Sequence, residues 1–121
     1  LSPLYDNGCN LLREFYKEEN AEKYYTGQKN FDSYIRRSKT LIYRKDGKKY
    51  GHFELIDYLY KIYPNEIKKE ISNLKRLTDS SIENIVNKIP DNTITTKHKE
   101  YIIVYLKTRK NILLDITNKK L

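Results

Sequence analysis

Tyr101-Ile102-Ile103-Val104-Tyr105-Leu106, followed by Ile112, Leu113, Leu114 and Ile116, places apolar side chains on more than one face of any helix that carries them. The spacing predicts one long helix from about Thr96 to about Thr117. A helix apolar on several sides is central, packed by neighbours around it. Lys107, Arg109 and Lys110 interrupt the pattern at one place. Arg109 either pairs with an acidic residue of a neighbouring helix or faces water, and the sequence does not choose between them. Lys119 and Lys120 form a basic tail.

Working outward, the preceding segments supply the neighbours. Phe53, Ile56, Leu59, Tyr60 and Tyr63 make one stripe of a helix that ends at Pro64, because proline lacks the N–H and clashes with the preceding turn. His52 sits at the start of this helix, and reads as a helix-start or packing residue rather than a ligand. Asn65 is placed to cap the next helix, whose inner side carries Ile67, Ile71 and Leu74. Ser80-Ser81-Ile82-Glu83 has capping-box spacing, and Ile82, Ile85, Val86 and Ile89 continue a core stripe to Pro90. Nearer the start, Leu11 to Tyr25 reads as one helix, or one broken around Asn20, with Leu11, Leu12, Phe15 and Tyr16 on one side. The expected fold is mainly α, a single helical domain over residues 1–121.

One β element interrupts it. Lys45-Asp46-Gly47-Lys48 carries an Asp-Gly turn, which predicts a short hairpin with strands near Thr40–Arg44 and Lys48–Tyr50. A hairpin that small needs helices behind it. Tyr34-Ile35 also reads as β-prone, within an irregular basic excursion over 31–50.

The chain has 121 residues and a net charge of +8, with 38% hydrophobic and 33% charged residues. That is one modest core, helped by twelve Tyr and three Phe, whose rings bury area while their polar tips stay wet. One Cys excludes an internal disulfide framework and fits a reducing cytoplasm. Two His and this Cys lie far apart and give no zinc spacing. No apolar run approaches the roughly 20 residues that a membrane span needs. Basic residues are densest at Arg36, Arg37, Lys39, Arg44, Lys45, Lys48 and Lys49, with Tyr34, Tyr43 and Tyr50 interleaved. That stretch is either a solvated face or a contact surface for single-stranded nucleic acid or an acidic protein partner.

The remaining signal is at the beginning. In Ser2-Pro3-Leu4-Tyr5-Asp6-Asn7-Gly8, Pro3 fixes its own φ and biases Ser2 towards extended geometry, and Asn7-Gly8 is a turn pair. Asp6 therefore ends an extended segment on a tight turn. Such a carboxylate either caps the turn or is aimed at a hard cation bound to phosphate.

Leu1-Ser2-Pro3-Leu4-Tyr5-Asp6-Asn7-Gly8 resembles the segment of HipA-like serine/threonine kinases that carries the aspartate holding Mg²⁺ against the ATP phosphates. Ile89-Pro90, Tyr101-Ile102-Ile103 and the run from Leu106 to Leu114 with Arg109 and Lys110 resemble the way these kinases end. Cys9-Asn10 departs from the small hydroxyl residues common there. The resemblance implies Mg²⁺ and ATP as cofactors, Asp6 as a metal ligand, a Ser or Thr on a protein substrate as acceptor, and in many members a silencing antitoxin partner. It also implies that this chain is the C-terminal part of the kinase's large lobe. Gly8, Gly27, Gly47 and Gly51 are scattered, with no phosphate-covering loop, and no His-Arg-Asp-like catalytic loop is present. Those parts precede the metal-binding Asp in the family, so the chain alone is expected to be inactive. The alternative expectation is a small basic helical module that binds nucleic acid or an acidic protein through Arg36, Arg37, Lys39, Arg44, Lys48 and Lys49.

Overall fold

The computed structural model describes residues 31–118, together with Lys23. The elements follow in the order α1 (Phe31–Arg36), β1 (Lys39–Tyr43), β2 (Lys49–Gly51), α2 (His52–Ile62), α3 (Pro64–Lys75), α4 (Asp79–Asn87) and α5 (Thr96–Asn118). The fold is mainly helical with one antiparallel hairpin, as the patterning predicts. The Leu11–Tyr25 helix and the Asp6 turn lie outside the described residues.

Helix α5 is the central member, and α1, α2, α3 and α4 all pack on it. Its first half meets α4: Ile82 and Val86 bury against Tyr101 and Ile102. Its second half meets α1 and α2, where Ile35, Phe53 and Ile112 form a second buried cluster. Tyr34 and Tyr105 touch both clusters and tilt against each other with ring centroids 6.5 Å apart. Burying an Ile or Phe side chain is worth about 1.5–3 kcal/mol, so these few positions carry much of the stability.

The breaks between elements have local causes. Tyr63 is the single residue between α2 and α3, and Pro64 opens α3 at a position where its missing N–H costs nothing. Asn65 is therefore inside the first turn rather than at the cap. Thr78 caps α4 by accepting from the Ser81 backbone N–H at 3.1 Å. That cap lies two residues before the expected one at Ser80, and it lets Asp79 face the positive end of the helix. Thr95 caps α5 in the same way, accepting from the His98 backbone N–H at 3.1 Å.

Two apolar assignments are corrected. Tyr34-Ile35 is helical, because Ile35 is needed at the junction of α1, α2 and α5, where it is 1% exposed. Ile85 is 60% exposed, one turn-position off the stripe that Ile82 and Val86 make.

Three lysines on α5 reach groups outside the helix. Lys107 ion-pairs with Glu83 of α4. Lys110 reaches Asp79 at 2.5 Å and the Leu77 carbonyl at 3.1 Å. Lys99 is nearly buried and donates to Asp91 at 2.7 Å, which anchors the turn before the helix.

Among the described residues no helix is long and apolar enough to cross a membrane.

Candidate contact surface on the hairpin

The hairpin forms because three residues, Lys45, Asp46 and Gly47, can close it. The Gly47 N–H donates to the Arg44 carbonyl at 3.0 Å, and the Arg44 N–H donates to the Lys48 carbonyl at 2.7 Å. Gly47 has φ +83°, the left-handed conformation that a residue with a Cβ adopts only under strain. Asp46 tightens the loop by accepting from the Lys48 N–H at 3.0 Å. Lys39 pairs with Gly51 and Tyr43 with Lys49, with an irregularity between. Thr40 spans that irregularity: its hydroxyl lies 3.1 Å from the Tyr50 carbonyl and accepts from the Ile42 N–H.

The base of the hairpin is held by a polar junction. The His52 N–H donates to the Ser38 carbonyl at 3.2 Å. Ser38 Oγ donates to the Ile35 carbonyl at 3.0 Å, lies 2.8 Å from His52 Nδ1, and accepts from Arg109 Nη1 at 3.4 Å. A hydroxyl has one proton, so with Ile35 taking it, His52 Nδ1 carries the hydrogen and donates to Ser38. In that tautomer Nδ1 cannot accept the serine proton, so the pair is a structural clasp rather than a nucleophile with its base. Burial first, and the Arg109 guanidinium second, push the His52 imidazole below its usual 6.5. Arg109 itself lies over two rings, 4.9 Å from the Phe53 centroid and 5.6 Å from the Tyr105 centroid. Among the described residues it pairs with no carboxylate; it joins α5 to the hairpin base and to α2.

The basic residues singled out in the sequence do gather here, but they divide into groups. Arg36 closes α1 and lines a pocket with Phe53, Glu54, Asp57 and Asp115. Arg44 is engaged by Asp46 and, at 3.3 Å, by Glu54 of α2. Its hydrogen bond to Asp46 and the charge of that carboxylate raise the guanidinium pKa further, while the same hydrogen bond holds Asp46 below the usual carboxylate value. Arg37, Lys39, Lys45, Lys48 and Lys49 are exposed around the hairpin. Asp6 lies outside the described residues. Among the described residues no group of three or more His, Cys, Asp and Glu is arranged to hold a metal ion.

The tyrosines interleaved with these cations are already in use. Tyr34 packs on Tyr105. Tyr50 stacks on Tyr58 of α2 with centroids 5.5 Å apart. The Lys49 ammonium sits 5.7 Å from the centre of the Tyr43 ring.

What sequence reasoning missed is the aliphatic part of the surface. Leu41 is 85% exposed, and Ile42 and Tyr43 are 53% and 61% exposed. Successive strand residues point to opposite faces, so both faces of β1 are open at this point. The signal was present: a Leu-Ile-Tyr run in a hairpin too short to have a covered face.

Compared with protein-family models, with curated proteins and with solved structures, the chain matches none.

Proposed function

We propose that the chain is the C-terminal part of a HipA-like serine/threonine protein kinase. One observation carries the reading: the run Leu1-Ser2-Pro3-Leu4-Tyr5-Asp6-Asn7-Gly8, whose residues resemble the metal-binding segment of those kinases. The mainly helical body is the fold expected for that part of such a kinase, and supports the reading to that extent. Phosphoryl transfer asks the protein for positioning and charge neutralisation more than for covalent chemistry. When bound, Mg²⁺ would neutralise the ATP phosphates, and Asp6 would be one of its ligands. The acceptor would be a Ser or Thr hydroxyl of a protein, and an antitoxin partner would control the activity.

The test is Asp6→Asn in the intact kinase. A metal ligand contributes several kcal/mol of transition-state charge stabilisation, so ATP-dependent phosphorylation should fall at least about a hundredfold with no change in melting temperature. Asn makes the same local turn bonds as Asp. Activity within about twofold of the parent would therefore return Asp6 to a turn cap and end the kinase reading. The chain by itself should transfer no phosphate.

A second reading, a protein or nucleic-acid contact surface at the hairpin, is favoured by the clustering of exposed Lys39, Lys45, Lys48 and Lys49 around an open strand.

A further inference from the structure

We infer that β1 is the docking edge for an extended, acidic segment of a partner protein, which adds to the hairpin as a third strand. The inference rests on the contact-surface reading just given and is independent of the kinase reading.

Three observations carry it. The sheet has the order β1-β2, so among the described residues the edge of β1 away from β2 has no strand beside it. An open edge is a template for another backbone, and folded proteins ordinarily blunt it with charge, proline or a cover. Lys39 and the irregularity in β1 are such devices, yet Leu41, Ile42 and Tyr43 all stay exposed. Contiguous exposed apolar groups on a strand mark a binding surface. An incoming strand with apolar residues at alternate positions would lay them beside Leu41 and Tyr43 on one face, while its backbone pairs with the edge.

Charge selects the partner. Lys39 at the start of β1, Lys45 in the turn and Lys48 and Lys49 on the return are exposed cations. The two carboxylates nearest the turn, Asp46 and Glu54, are engaged with Arg44. An acidic segment meets this field favourably. A second copy of the chain carries the same exposed lysines around its hairpin, and the like charge opposes its approach.

The same observations disfavour nucleic acid. Single strands bind by stacking bases on open aromatic faces. Tyr50 is stacked on Tyr58, Tyr34 on Tyr105, and the Tyr43 ring carries the Lys49 ammonium. Of the open groups on β1, Tyr43 is aromatic and shares its ring with Lys49, while Leu41 and Ile42 are aliphatic.

The experiment measures fluorescence anisotropy of the chain with three probes at low salt: a short peptide alternating Glu with Val, the same peptide N-methylated at every residue so that neither edge can donate, and oligothymidylate. The Glu-Val peptide should bind, and N-methylation, which removes the pairing N–H groups and leaves charge and side chains, should weaken it at least about tenfold. Leu41→Ser with Ile42→Ser should weaken it comparably while leaving the circular dichroism unchanged, since both positions are exposed. Equal binding of the methylated peptide overturns strand addition and leaves the contact-surface reading standing. Oligothymidylate binding in place of the peptide overturns the protein partner and likewise leaves that reading. Retention of no probe overturns both. A dimer in sedimentation that dissociates on the Leu41 and Ile42 substitutions also overturns the inference, since the occupant is then a second copy.

Discussion

Replacing Arg109 tests whether the hairpin base is fastened to the central helix through one guanidinium. The group lies 4.9 Å from the Phe53 ring centre and 5.6 Å from that of Tyr105, both within cation–π range. At a half-buried site each ring contributes roughly 0.5–1 kcal/mol. The bond to Ser38 is long at 3.4 Å, so it belongs at the low end of the range for neutral acceptors, about 0.5 kcal/mol. Together Arg109→Ala should cost about 2 kcal/mol and lower the melting temperature by about 8 °C for a domain of this size. Arg109→Lys keeps the charge but loses the flat stacking surface, and should give roughly half the loss. Thermal unfolding followed by circular dichroism measures both. Hydrogen exchange supplies the local readout: the His52 amide, bonded to the Ser38 carbonyl, should exchange faster in Arg109→Ala, while the Ile82 amide, bonded to Thr78 in α4, should respond only to the global loss. A melting temperature within about 1 °C of the parent, with His52 exchange unchanged, would refute the fastening.

Two further outcomes follow from the same geometry. Ile82→Ala, at 3% exposure against Tyr101 and Ile102, should cost about 2–4 kcal/mol, whereas Ile85→Ala, three residues on but 60% exposed, should stay within about 0.5 kcal/mol; urea unfolding distinguishes them, and equal losses would place Ile85 in the core. The folded state also holds the His52 pKa below 6.5, so the unfolded chain binds that proton more readily. Stability should therefore be complete above this value and fall as the pH drops through it. Asp46, Asp79 and Asp91 are held below the usual carboxylate value by hydrogen bonds from Arg44, Lys110 and Lys99, so their contribution is lost only at lower pH. Urea titrations between about pH 5 and 7 should thus show a rise that His52→Asn, which retains a donor towards Ser38, flattens; an unchanged slope would assign the rise elsewhere.

Much of this architecture is readable without coordinates, and where reading fails the reasons are physical. The stripe before Pro64 and the many-sided apolar pattern after Thr96 specify helices because burial leaves few alternatives. Asp46-Gly47 specifies the hairpin because the turn requires φ > 0 at one residue. Tyr34-Ile35 misleads because two β-prone residues say nothing of the buried junction, brought together from Phe53 and Ile112, that recruits Ile35. Ile85 misleads because one turn of helix admits several near-equivalent stripes, and only the position of Tyr101 and Ile102 decides which one is inward. Thr78 and Ser80 both have capping chemistry, and local sequence does not rank them. At the contact surface, the lysines are legible as a group, but the division into engaged and open side chains depends on Glu54 approaching Arg44 from another element. Arg109 is the extreme case: its hydrogen-bond partner, Ser38, is 71 positions away.

The placement of α5 has a consequence for the chain as it is made. Each earlier helix also rests on a segment synthesised after it, so on the ribosome α1 through α4 emerge before the helix that their inner faces share. Those faces must stay separate from one another and from other nascent chains for as long as translation of residues 96–118 takes. A pause in that last stretch, or a stop codon within it, would prolong their exposure. Aggregation should then depend more on elongation speed over those codons than on the stability of the finished protein.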